Sequence, residues 1–186
     1  MNANLYAELR TYAAQKGAIV GGMWILSFAC FIIGLSHPRA SLLCIMAGIG
    51  SIFVTGKLIR RFRQQKGEIG FFMAMWTGIL MFMYASLLMA AAQFIYFRYM
   101  DNGFVADTYA TLLQQPEVLK ALQNMSGGEN YRELIDQAII TWQTISPIEL
   151  TFEFLVSNFF LGIIVSIPVA ALGCIGKVSD TNSLKQ

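Results

Sequence analysis

Charge is what this chain has least of. Only 13% of its residues are Asp, Glu, Lys or Arg, and 56% are hydrophobic. A soluble domain carries about 25% charged and about 45–50% apolar residues, so the shortfall excludes an ordinary solvated surface. Histidine occurs once, as His37, and no pair of histidines exists to build a metal site. A Ser-His-Asp triad would have to run through that one ring, in a short turn before Pro38, and nothing else points to one. The three cysteines, Cys30, Cys44 and Cys174, all fall in apolar runs with no zinc or redox spacing. They read as small buried hydrophobes. A net charge of +2 is too small to point to nucleic acid.

What is abundant is apolar sequence in long uncharged runs. A bilayer core of about 30 Å needs about 20 apolar residues in helical form. Four runs approach or exceed that, and they predict spans over about 17–36, 40–59, 69–98 and 150–176. The second is short before Lys57, whose aliphatic stem can snorkel while Leu58 and Ile59 extend the apolar face. The first has a polar lead-in of about sixteen residues and an apolar stretch longer than the usual signal-peptide core of about 7–15. It reads as a span. The expected fold is all-α, a four-helix transmembrane bundle forming one membrane domain, with the lipid bilayer as its first partner.

Local chemistry sharpens some of the boundaries. Ser146-Pro147-Ile148-Glu149 is a capping box with proline at the first helical position, so the fourth helix should begin near Pro147, before its apolar run. Asp101-Asn102-Gly103 should end the third helix. Pro168 lies inside the fourth span, where it removes a backbone donor and predicts a kink. Leu5, Leu9 and Tyr12 share one side of the N-terminal segment, which should lead into the first span as one long helix.

Cations set the orientation. Four spans with the N-terminus inside leave nine Lys/Arg inside: Arg10, Lys16, Lys57, Arg60, Arg61, Arg63, Lys66, Lys177 and Lys185. Only four, Arg39, Arg98, Lys120 and Arg132, lie outside. Five of the nine crowd one short segment, 57–68, which is expected to be a cytoplasmic loop. The N- and C-termini should both face the cytoplasm. The segment 99–149 then faces outward, and the stretch from Arg98 to Glu153 carries eight acidic residues against three basic ones.

That outer segment is too long for a hairpin and too patterned for disorder. Tyr131, Leu134, Ile135, Ala138, Ile139, Trp142 and Ile145 recur at helical spacing. Val118, Leu119, Leu122 and Met125 form a shorter stripe after Pro116, and Gly127-Gly128 separates the two. Phe104, Tyr109, Leu112 and Leu113 suggest one more helix. The expected arrangement is a helical cap, packed on itself and on the projecting start of the fourth helix, with lipid or a partner protein as the alternative cover.

Reactive groups are sparse. No carboxylate, lysine, arginine or histidine lies inside the spans, which weakens the case for proton-coupled transport. Gln93 and Asn158 are the candidate intramembrane polar contacts, expected to hydrogen-bond between helices or to line a polar path. Glu149 and Glu153 share a helix face, but the capping box already accounts for Glu149. Lys57, Arg60, Arg61, Arg63 and Lys66 could contact anionic head groups, although the inside bias of cations alone predicts such a cluster. Gly17 with Gly21, Ala47-Ser51-Thr55 and Gly162-Ser166-Ala170 are small-residue ladders suited to close helix packing or to a homo-oligomer.

One resemblance covers nearly the whole length. Lys16-Gly17-Ala18-Ile19-Val20-Gly21-Gly22 opens the first span, and Lys66-Gly67-Glu68-Ile69-Gly70-Phe71 precedes the third. That span contains Ala74 and Thr77-Gly78 and closes with Phe94-Ile95-Tyr96-Phe97-Arg98-Tyr99. In these features the chain resembles the domain of unknown function 4199 family, small integral membrane proteins of the Bacteroidetes. The resemblance implies four spans and an inner-membrane location, and it supplies no activity, cofactor or catalytic residue. The expected function is a non-enzymatic interaction or accessory component without a cofactor, engaging a membrane protein partner or a second copy. The alternative is a small transporter or channel using Gln93, Asn158 and the Pro168 kink.

Overall fold

The computed structural model describes residues 3–67, 69–126 and 131–175. Among them are seven α-helices and no strand: α1 (Ala3–Ser36), α2 (Pro38–Lys66), α3 (Phe71–Tyr99), α4 (Phe104–Leu113), α5 (Pro116–Ser126), α6 (Tyr131–Thr144) and α7 (Pro147–Cys174). Four of them, α1, α2, α3 and α7, are long and apolar enough to cross a membrane. The chain forms two compact units, one from residues 1–92 with 154–186 and one from residues 93–153.

The first unit is held by small residues and by polar groups that find partners inside it. A single residue, His37, joins α1 to α2. It is extended (φ −131°, ψ 94°), and Pro38 opens the next helix, where its fixed φ suits the first turn. The two helices are then tied at four levels. Ser27 Oγ donates to the Cys44 carbonyl at 2.9 Å, and Trp24 Nε1 donates to Ser51 Oγ at 3.1 Å. Nearer the other end, Tyr12 Oη donates to the Leu58 carbonyl at 2.8 Å, with Lys66 and Glu8 paired beyond it at 2.8 Å.

Helix α3 supplies much of the core, with Ala74, Met81, Phe82 and Ala85 fully or almost fully buried. Its closest neighbours approach at glycines. A Cβ on Gly17 would stand 2.8 Å from the Met81 carbonyl oxygen, and one on Gly162 would stand 2.7 Å from Phe82 Cβ. So the glycines of α1 and α7 admit α3 at a separation no side chain allows. In a bilayer, where burying apolar surface gains little, such close packing is what holds helices together. The ladders read from sequence as packing surfaces serve here within the chain: Ser51, Thr55, Ser166 and Ala170 are all buried.

The second unit contains the end of α3, the three short helices and the start of α7. Asp101-Asn102-Gly103 ends α3 as expected and turns the chain straight into α4. Asn102 and Gly103 both take positive φ, 47° and 83°, in the left-handed region that Asn and Gly tolerate. Asp101 Oδ1 accepts the Val105 N–H at 3.1 Å, satisfying one of α4's free N-terminal donors. Pro116 opens α5, at the first helical position, where its missing N–H leaves no bond unmade. The rings of Tyr109 on α4 and Trp142 on α6 stack with centroids 5.5 Å apart at 25°. The helical cap is therefore packed on itself.

Three details differ from the sequence expectation. The 57–68 segment is not a loop through most of its length. Helix α2 runs on to Lys66, and Gly67, at φ 92°, ends it. Lys, Arg and Gln are good helix formers, and no Gly or Pro interrupts them earlier. Second, α3 begins at Phe71, two residues later than expected. Third, Leu134 is 61% exposed while Ile135 beside it is buried, because 3.6-residue geometry lets only one of two adjacent residues face the centre of the buried stripe. Glu68, Gly127-Gly128, Lys177 and Lys185 lie outside the described residues.

Candidate functional site

Within the unit 93–153, the end of α3, the start of α4, the end of α6 and the start of α7 enclose an open cavity of about 330 Å³. Phe97, Val105, Trp142 and Leu150 give it apolar walls, and Asp101 and Asp107 contribute carboxylates. Two local devices set its shape. One is the positive-φ turn at Asn102 and Gly103. The other is the capping box at the start of α7, where the Ser146 N–H and hydroxyl reach Glu149 Oε2 at 2.9 Å and 2.6 Å. The Glu149 N–H returns a 3.3 Å bond to Ser146 Oγ. Both partners of the predicted box are thus in their predicted roles. Burial pushes the Tyr109 phenol above its ordinary value of 10.0.

The basic residues separate into two kinds. Lys57, Arg60, Arg61 and Lys66 are exposed on α2, and Lys66 is already paired with Glu8. Arg63 is 8% exposed, and its Nη1 donates to the Gly173 carbonyl at 3.2 Å. That carbonyl belongs to the last turn of α7, where backbone acceptors have no intrahelical partner and the helix dipole favours a cation. Arg63 is therefore a fastener between α2 and α7. A sequence signal exists for it: Thr55, Ile59, Phe62 and Arg63 lie on one helical face, so the cation continues an inward stripe.

The intramembrane polar residues fall in different units. Gln93 is 2% exposed, and its Oε1 has no hydrogen-bond partner among the described residues. Asn158, in the other unit, is half-buried. Helix α7 continues through Pro168 to Cys174. The cavity-lining Phe97, Asp101, Asp107 and Trp142 were not singled out as a site by sequence, since they come from helices whose pairing no local pattern specifies.

The family model described as "Protein of unknown function (DUF4199)" matches residues 15–173. The chain belongs to the DUF4199 family. No curated protein and no solved structure matches it. The DUF4199 match begins beside Gly17 and ends at Gly173, so it takes in the α1–α3 approach, the cavity and the carbonyl that Arg63 holds. The family description assigns no activity.

Proposed function

We propose that this chain is a non-enzymatic accessory component of a bacterial inner membrane, with both termini cytoplasmic. Its segment 99–149 stands outside the cytoplasm and engages another membrane protein or a second copy of the chain. The observation that carries the reading is the surface of α6. Leu134 and Ile140 are 61% and 58% exposed on a helix that lies within an acidic segment. Apolar side chains left outward on an ordered polar unit favour contact with a partner. The excess of cations on the segments assigned inside supports the orientation.

A cysteine introduced at Leu134 or Ile140 and coupled to a short bifunctional crosslinker in cells tests the proposal. A discrete adduct of fixed size is expected from both positions. Uncrosslinked monomer alone, from protein that remains folded, contradicts it.

The buried, unpaired oxygen of Gln93 supports a second reading, a path for a polar solute through the bundle. Gln93→Leu would abolish solute flux into proteoliposomes on that reading and leave partner capture unchanged on the first.

A further inference from the structure

We infer that the end of α2, with the neighbouring turn of α1, forms a site for the head group of an anionic phospholipid. The inference rests on α2 crossing a bilayer, and neither on the orientation nor on what the segment 99–149 engages.

The pattern along α2 points to lipid. Met46, Ile49 and Phe53 are exposed along one stripe of the helix, at the spacing that keeps residues on a common face. On a helix long and apolar enough to cross a membrane, such a stripe meets acyl chains. The same stripe continues into Lys57 and Arg60, both exposed. The cations therefore follow the apolar stripe where the helix leaves the hydrocarbon, at the depth of the lipid head groups. Arg63, which faces inward to the Gly173 carbonyl, is not among them.

The charge balance points to an anion. Glu8 is the one acid among the described residues of the unit 1–92 with 154–186, and Lys66 already holds it. Lys16, Lys57, Arg60 and Arg61 have no carboxylate partner among the described residues. Two of these cations reach Tyr12 from different helices: Lys16 Nζ lies 5.8 Å from the centre of its ring, and the Arg61 guanidinium acts electrostatically on its phenol. Tyr12 is itself fixed, since its hydroxyl donates to the Leu58 carbonyl at 2.8 Å. Lys16 is half-buried, so its ammonium gives up part of its water without gaining an anion from the chain. A lipid phosphate supplies one.

Other occupants fit less well. A nucleic-acid strand wants aromatic faces for its bases, and Phe62, the aromatic residue among the α2 cations, is buried. An acidic protein segment would have to reach the cations through the head groups that already surround a crossing helix. A zwitterionic lipid brings an ammonium of its own, which the cations repel. An anionic phospholipid satisfies both features, with acyl chains along Met46, Ile49 and Phe53 and a phosphate against the cations.

The test is native mass spectrometry of the full chain in a neutral detergent, titrated with dioleoyl phosphatidylglycerol or dioleoyl phosphatidylcholine. The anionic lipid should bind about tenfold more tightly, since each cation near the surface adds to the attraction. Lys57→Gln, Arg60→Gln and Arg61→Gln together should abolish that preference, and each alone should weaken it. A control that removes three exposed charges elsewhere, Arg39→Gln, Arg98→Gln and Lys120→Gln, should keep it. Gel filtration checks that each variant is folded, and the single substitutions decide the matter if the combined one is not. Equal affinity for the two lipids, a preference that survives the substitutions on α2, or one that the control loses equally overturns the inference. An oligoglutamate peptide that displaces the lipid also overturns it, because the cations would then be a dock for an acidic protein segment.

Discussion

Arg63 reaches across 110 residues of sequence to donate a 3.2 Å hydrogen bond to the carbonyl of Gly173. The contact ties the end of α2 to the last turn of α7 and makes one cation of the basic cluster structural. A hydrogen bond from a charged group contributes about 1.5–3 kcal/mol, and stranding a buried acceptor adds to the loss. Arg63→Ala should therefore lower stability by roughly 2–3 kcal/mol in a denaturant titration of the purified protein. Arg60→Ala, at an exposed position on the same helix, should change it by less than about 0.5 kcal/mol. Equal effects would mean that the fastener contributes nothing.

Gly17 and Gly22 make a matched pair on α1. A Cβ at Gly17 meets the Met81 carbonyl at 2.8 Å, whereas one at Gly22 meets nothing within 4 Å. Gly17→Ala should cost about 1–3 kcal/mol through overpacking. Gly22→Ala should be neutral or slightly stabilising, because alanine is the better helix former. Unfolding midpoints of the two variants measured side by side check the prediction.

The capping box offers a local test. Ser146→Ala removes the Oγ that accepts the Glu149 N–H and donates to its carboxylate. The expected cost is about 1 kcal/mol, and hydrogen exchange at residues 147–150 should rise before exchange elsewhere does. Uniformly faster exchange across α7 would contradict a purely local role.

Tyr109 gives the unit 93–153 a pH limit. Its phenol is raised above 10.0 by burial, so the folded unit holds that proton more tightly than the unfolded chain. The stability this provides is complete below about pH 10 and is lost as pH rises through the folded value. Near-ultraviolet circular dichroism of the Tyr109–Trp142 pair should report the loss, and Tyr109→Phe should shift or remove it. An unchanged alkaline transition in that variant would assign the effect elsewhere.

Features decided within one or two turns of chain were legible before the fold was known. Ser146 with Glu149, Pro116 at a helix start and the Asp101-Asn102-Gly103 turn all follow from nearby backbone donors and allowed φ. The four long helices follow from apolar runs alone. The stripe of Thr55, Ile59 and Phe62 marks Arg63 as facing inward, but its partner lies on another helix, and a register between helices is a product of packing. The exposure of Leu134 is not legible because periodicity marks a stripe without fixing its edge. The cavity was hidden for the same reason: Phe97, Asp107 and Trp142 meet only after α3, α4 and α6 have found each other.

The proposed orientation, with the segment 99–149 outside and the basic segment 57–66 inside, is tested most directly by labelling. Single cysteines at Glu117 and at Gln64, both exposed, can be placed in a chain whose Cys30, Cys44 and Cys174 are replaced by alanine. Treatment of intact, outer-membrane-permeabilised cells with a membrane-impermeant maleimide should label the cysteine at 117 and spare the one at 64 until the inner membrane is lysed. Labelling at 64 with protection at 117 would contradict the orientation, and labelling of both before lysis would contradict the separation.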